Sequence, residues 1–161
     1  MNRFVLLAAP AALLFAGSAF AQVMTPAEYV MTAGASDLFE RESAKLVLET
    51  TYNPEVKMFA TMMLTAHAQS TAEVKAAAMK SRVPAAAPML TPLQTEMIAE
   101  LTAVNGPDRD GVYIAQQKAA HGGALSVQQA YAMDGTAPAL KSAASDIVPV
   151  VQHHIALLMK M

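Results

Sequence analysis

Apolar side chains recur at spacings of three and four along most of this chain, the period of a helix that buries one face. In the C-terminal stretch Leu140, Ala144, Ile147, Val151, His154, Leu158 and Met161 follow that spacing, and only His154 is not apolar. Val56, Ala60, Met63, His67, Thr71, Val74 and Ala78 form a similar stripe, interrupted by His67. Ile114, His121, Ala124 and Leu125 share a face with Gln117, and Glu40 lies on one face with Ala33, Ala44 and Val47. No stretch alternates for long in the way a strand would. The pattern predicts helices over 26–51, 54–82, 92–104, 108–133 and 137–160.

Local chemistry marks where these helices start. Thr25-Pro26-Ala27-Glu28 and Thr91-Pro92-Leu93-Gln94 read as capping boxes, with proline where a helix has no use for an N–H. Asn53 caps Pro54-Glu55 by the same logic. Asp108 and Thr136 are the expected N-caps of the last two helices, each shortly after a glycine (Gly106, Gly135) suited to ending the helix before. The first helix is expected to break or bend near Gly34-Ala35-Ser36-Asp37, and Val83 to Leu90 is the longest connection. Pro149 removes a hydrogen bond inside the last helix and is expected to kink it. Such a kink either aims His154 and opens a pocket, or sits harmlessly on the solvated side. Gly122-Gly123 permit close helix approach or access to His121, or else interrupt the helix. Short connections make neighbouring helices antiparallel, so the expected fold is all-α, an up-down four-helix bundle. The 92–104 helix is an accessory element bridging the second and third long helices.

Composition narrows the setting. Asn2-Arg3, the apolar run Phe4 to Gly17 and Ala19-Phe20-Ala21 have the order of a signal peptide, so residues 1–21 are expected to be removed, leaving a domain over 22–161. The expected location is periplasmic or secreted. The run is short for a membrane span, and no other segment is a candidate for one. Without Arg3, ten basic residues face thirteen acidic ones, interspersed and with no basic run. That balance argues against nucleic acid and anionic lipid surfaces as partners. A protein partner or a second copy of the chain stays open. The chain has no cysteine, which removes disulfides, thiol nucleophiles and thiolate metal sites.

The chemistry therefore rests on Glu40, His67, His121 and His154, one on each of four helices. An ionisable side chain on an apolar stripe needs a partner or a metal. Imidazole and carboxylate on facing helices are how bundles build metal centres, and this set suits one zinc, copper, nickel or iron ion. The alternative is a buried hydrogen-bond network that only specifies packing. No glutamate has a histidine three residues later, which argues against a ferritin-type di-iron centre. His153 points about 100° away from His154 and is expected to face solvent. The twelve methionines are scattered, so core filling explains most of them better than a copper(I) array does. No phosphate loop, nucleophile elbow or H-E-x-x-H is present, and no catalytic or cofactor-binding residue is assigned.

These residues also resemble a family. Glu40; Asn53-Pro54-Glu55-Val56-Lys57 with Phe59-Ala60 and Met63 leading to His67; Tyr113, Gln117 and His121; and Val148-Pro149 with Val151 before His154 are similar to exported bacterial proteins with a ferritin-like four-helix domain. That family is often labelled "predicted outer membrane protein" or domain of unknown function. It typically has Asp before the second-helix histidine, where Ala66 stands here, and Gln-Glu after the third-helix histidine, where Gly122-Gly123 stand. The resemblance implies fold and export more than activity. The outer-membrane label conflicts with helical periodicity, since a barrel needs alternating strands. The expected function is that of an exported, non-catalytic binding or stress-protection protein with one metal site. The alternatives are an interaction module and, less favoured, an enzyme using His and Glu as acid and base.

Overall fold

The computed structural model describes residues 23–161. The expected signal segment, its cleavage at Ala21 and the Gln22 start lie outside the described residues. Five helices and no strand occupy the described residues: α1 (Pro26–Thr50), α2 (Pro54–Lys80), α3 (Pro92–Ala103), α4 (Gly106–Asp134) and α5 (Pro138–Leu158). The caps of the first three are those expected. Thr25 and Thr91 each form a full capping box, and Asn53 accepts from the backbone N–H groups of Glu55 and Val56.

The last two starts differ from expectation. Asn105, not Asp108, precedes α4, and its side chain makes no capping bond. Gly106 opens the helix at φ 54°, in the left-handed region glycine tolerates, and its N–H donates to Thr50 Oγ1 at 3.1 Å. Asp108 falls instead in the first turn, where its charge complements the helix dipole. Helix α5 starts after Ala137 rather than Thr136. At the other end of α2, Arg82 adopts φ 55° and Val83 N–H reaches back to the Ala78 carbonyl, so an arginine fills a position that usually goes to glycine.

The helices are continuous at three places where the sequence suggested irregularity. Helix α1 runs unbroken through Gly34, whose added Cβ would lie 3.2 Å from Pro88 Cβ. That glycine serves the close crossing of another segment, not a hinge. Helix α4 is continuous through Gly122 and Gly123, and a Cβ on either meets nothing within 4 Å, so neither interruption nor close approach accounts for them. Helix α5 continues through Pro149, which is exposed on the solvated side.

Packing joins α1 to α2, α4 to α5, α1 to α4 and α2 to α5, so each long helix has two long neighbours. Their directions follow from contacts at the ends. The N-terminal end of α4 meets the C-terminal end of α1: Arg109 Nη1 donates to the Leu46 carbonyl at 2.7 Å and Thr51 Oγ1 to Asp110 at 2.9 Å. At the opposite end Tyr29 stacks on Tyr131 at 4.0 Å and donates to Gln128. Helix α4 is thus antiparallel to α1, and so is α2, which follows α1 after residues 51–53. Helices α2 and α4 therefore run parallel, on opposite sides of the core, and the expected simple up-down alternation does not hold. The chain returns from one end to the other between them. The 81–91 segment and α3 are long enough for that crossing, where a tight turn would have forced an antiparallel neighbour. Helix α3 packs chiefly on α1 and α4 rather than bridging α2 and α4, which meet across the core only through side chains such as Phe59 and Tyr113.

The core has two apolar layers. One gathers Tyr29, Val74, Ala78, Tyr131, Leu140 and Ile147, and the other gathers Val47, Phe59, Met63, Leu101, Tyr113 and Leu158. Between them lies a band of buried polar side chains. Methionine contributes Met63 to the second layer, and Met24, Met62 and Met161 pack against the layers from partly buried positions. Met31, Met58, Met79, Met89, Met133 and Met159 lie exposed on outer faces and connections, so core filling does not explain these six.

Candidate metal centre

The band between the two layers contains Asp37, Glu40 and Ser43 from α1, His67 from α2, Gln117 and His121 from α4, and His154 from α5, all buried. Helical spacing places them there. Asp37, Glu40 and Ala44 follow one another at intervals of three and four, so the face that buries alanine also buries the two carboxylates. His67 and His121 replace apolar residues midway along α2 and α4, His154 does so near the C-terminal end of α5, and contacts between the helices bring the three rings together. The four residues singled out by sequence therefore share a level.

Three of the four converge. One ring nitrogen from each of His67, His121 and His154 lies within 4.8 Å of the other two. His121 Nε2 is 3.3 Å from His154 Nδ1. His67 Nδ1 donates to Asp37 Oδ1 at 2.9 Å, so Nε2 is the atom that carries the lone pair whenever the ring is neutral, and Nε2 has no protein partner. His121 Nδ1 donates to the Gln117 carbonyl at 3.0 Å, which likewise leaves Nε2 facing inward. These proton positions follow from acceptors that cannot donate. Glu40 sits beside the triad: its Oε1 is 3.6 Å from His121 Nδ1, too long for a hydrogen bond, and Oε2 has no partner. Tyr113 Oη and Gln117 Oε1 are also buried without partners. Phe59 closes the apolar side, its ring centroid 6.1 Å from that of His121 and 6.3 Å from that of His154. His153 is exposed, as its helical angle predicts.

Burial dominates the electrostatics. It holds His121 down at about 3 and His154 at about 4, reinforced by charge on His67, so both rings are neutral near pH 7. Burial would also lower His67, but the Asp37 hydrogen bond and the Glu40 and Asp37 charges outweigh it and the net shift is upward. Glu40 is pushed up to about 7, chiefly by burial. Neutral imidazole is the form in which histidine ligates a metal; His121 Nε2 holds its lone pair inward, while His154 Nδ1 donates to it in the metal-free protein and would ligate after its proton moves to its own Nε2.

Asp37 is the participant that sequence alone did not identify. Its position near Gly34 read as a helix breaker, yet its spacing of three from Glu40 already placed it on the buried face. The Asp37–His67 pair has the geometry of a carboxylate orienting a ligating histidine, and Thr71 Oγ1 steadies the carboxylate with a bond to Oδ2 at 3.0 Å. A hollow of about 230 Å³ leads from His67 and His154 outward past Ser36, Gln69, Glu73 and Asp146. The cluster is thus buried in its residues yet reachable from the surface.

Comparison with known proteins gives a family and a fold. No curated protein matches the chain. A crystal structure of a candidate secreted protein, DUF305, from Streptomyces coelicolor is similar over 85% of this chain and 90% of that one, with TM-score 0.66 and 15% identity. At that identity the likeness is one of fold alone. The family described as "Domain of unknown function (DUF4142)" matches residues 14–161, nearly the whole chain, and the protein belongs to that family.

Proposed function

We propose that this protein is an exported, ferritin-like four-helix-bundle protein that binds one transition-metal ion through His67, His121 and His154. The observation that carries the reading is the approach of three ring nitrogens to within 4.8 Å, with two of the rings oriented from behind by Asp37 and the Gln117 carbonyl. In a tetrahedral site with metal–nitrogen bonds of 2.0–2.1 Å, ligand nitrogens lie about 3.3 Å apart. His121 and His154 already have that separation, and His67 needs only a small inward movement. An all-nitrogen set suits zinc, copper(II), nickel or iron(II) rather than magnesium or calcium. Glu40 belongs to the site as the buried negative charge beside the cation, acting next to His121 rather than within the three-nitrogen group. Glu73 and Asp146 at the mouth of the hollow favour entry of a cation.

The parallel pair α2 and α4, joined by one long crossover, supports the ferritin-like arrangement. The leader-like segment at residues 1–21 and the secreted description of the Streptomyces protein support export. Three protein ligands leave a coordination position for water or a small ligand, but no residue is positioned as an obvious acid or base toward one, so binding is the favoured role. A second reading, a hydrogen-bond network that only fixes packing, is favoured by the Gln117–Ser43 bond at 3.2 Å and the Thr71–Asp37–His67 chain.

Calorimetric titration with zinc, nickel and copper(II), alongside thermal melts with and without chelator, separates the two readings. The metal reading predicts one ion per chain and a melting temperature that rises with metal, by about 2.7 kcal/mol of stability at a hundredfold excess over Kd. Stability untouched by metal or chelator, and no heat of binding, supports the packing network instead.

A further inference from the structure

A second, larger cavity of about 610 Å³ lies under the segment that crosses from α2 to α3. Val30, Val74, Ala124 and Val127 wall it, and Ala85 to Leu90 roof it. Its size is that of a small-molecule pocket, and its walls are mostly apolar. Three large apolar side chains at this cavity stay in water: Met31 at 61%, Met89 at 79% and Leu93 at 65% exposure. A cluster of that kind beside a cavity marks a surface that takes an apolar partner, and methionine adapts its shape to one. The roof is held by packing alone, since residues 84–90 make no hydrogen bond among the described residues, and Pro88 rests on Gly34. A ligand can therefore enter without breaking backbone pairing.

Gly123 supplies the independent observation. It costs α4 about 1 kcal/mol relative to alanine. Its added Cβ would meet nothing within 4 Å, so packing does not require a glycine there. It does line the cavity, where any longer side chain would occupy the space. Charge identifies one end of the occupant. Lys75 is the cation lining the cavity, and it makes no ion pair among the described residues. The carboxylate in the lining, Asp37, is already engaged by His67 and Thr71.

We infer that this cavity binds a single-chain anionic amphiphile, a fatty-acid-like molecule with its alkyl chain against Gly123 and Val127 and its carboxylate at Lys75. The inference does not depend on the histidine cluster. Titration of the purified protein with palmitate, and with hexadecanol as the uncharged control, tests it. Gly123→Leu is predicted to fold, by circular dichroism, with a melting temperature at or above the parent's, and to bind palmitate about tenfold more weakly or not at all. Lys75→Ala is predicted to weaken palmitate about threefold and to leave hexadecanol unchanged. Because the chain has no cysteine, Met89→Cys can carry a single environment-sensitive fluorophore on the roof, and its emission is predicted to shift to the blue when palmitate is added. This second readout serves if the leucine variant does not fold. No palmitate binding, equal binding by a folded Gly123→Leu, or a label that does not respond overturns the inference. Equal loss of palmitate and hexadecanol in Lys75→Ala overturns the anionic head.

Discussion

Each side chain in the polar band is held by a specific neighbour, and the choice of neighbour decides what it can do. Asp37 fixes the tautomer and direction of His67, so Asp37→Asn is expected to leave the helix content intact while weakening metal affinity about 10–100-fold. Titration calorimetry on the folded variant measures this, and unchanged affinity would remove Asp37 from the site. Protonation gives a second test at this scale. Folded, His121 and His154 titrate at about 3 and about 4, against 6.5 for a free imidazole. Between those limits the unfolded chain takes up protons the folded chain refuses, so these two groups lower stability as the pH falls below about 6.5. Glu40, raised to about 7 from 4.5, acts oppositely over its own window, its contribution fading as the pH rises. His67, raised, is also stabilising when protonated and loses that effect above the free-imidazole value. Two imidazoles against one carboxyl leave a net slope near one proton, roughly 1.4 kcal/mol per pH unit from 6.5 down to about 4.5. Melts of the metal-free protein across that range are predicted to show falling stability on acidification, and a flat profile would contradict the assignment. At this scale the histidines were legible because each interrupts an apolar stripe. Asp37 was not, because a carboxylate near a glycine reads as a turn signal until a partner on another helix accounts for it.

At the scale of helices, local chemistry did most of what sequence could do. Thr25, Asn53 and Thr91 cap as their motifs require, since a capping box depends only on residues within one turn. The starts at Asn105 and Ala137 lack side-chain caps and are marked locally only by the first-turn prolines Pro107 and Pro138, a signal that the nearby Asp108 and Thr136 outcompeted as candidate caps. Gly34 shows a different limit: its reason lies in Pro88, on a segment more than fifty residues away, which no local pattern reveals. Arg82 is the testable irregularity. An arginine in the left-handed region costs about 1 kcal/mol or more relative to glycine. Arg82→Gly is therefore expected to raise the stability of the protein by about 0.5–1 kcal/mol in urea unfolding at unchanged m-value. A loss of stability would show that the Arg82 side chain makes a contribution its backbone geometry hides. The methionines make the same point from outside. Sequence gave no way to tell a core methionine from one on an outer face, and six of them proved exposed.

The whole molecule is organised by the polar band. Two apolar layers sandwich it, so the protein forgoes a continuous greasy core at the level where four helices bring Glu40, His67, His121 and His154 to one height. Helical class was readable from periodicity, whereas the shared level of these residues was not, because a stripe carries no height relative to its neighbours and only the contacts between helices set it. The parallel course of α2 and α4 was not readable either, because the pattern of a stripe carries no direction and only the end-to-end contacts of α1 with α4 fix it. No helix among the described residues is long and apolar enough to cross a membrane. On the proposed reading, the band holds an ion. X-ray absorption at the metal edge of zinc-loaded protein counts the ligands of that ion. Three imidazole nitrogens at about 2.0–2.1 Å and a fourth light ligand are expected, with one imidazole lost in His121→Leu. A spectrum without imidazole scattering, or one that His121→Leu leaves unchanged, would contradict that reading.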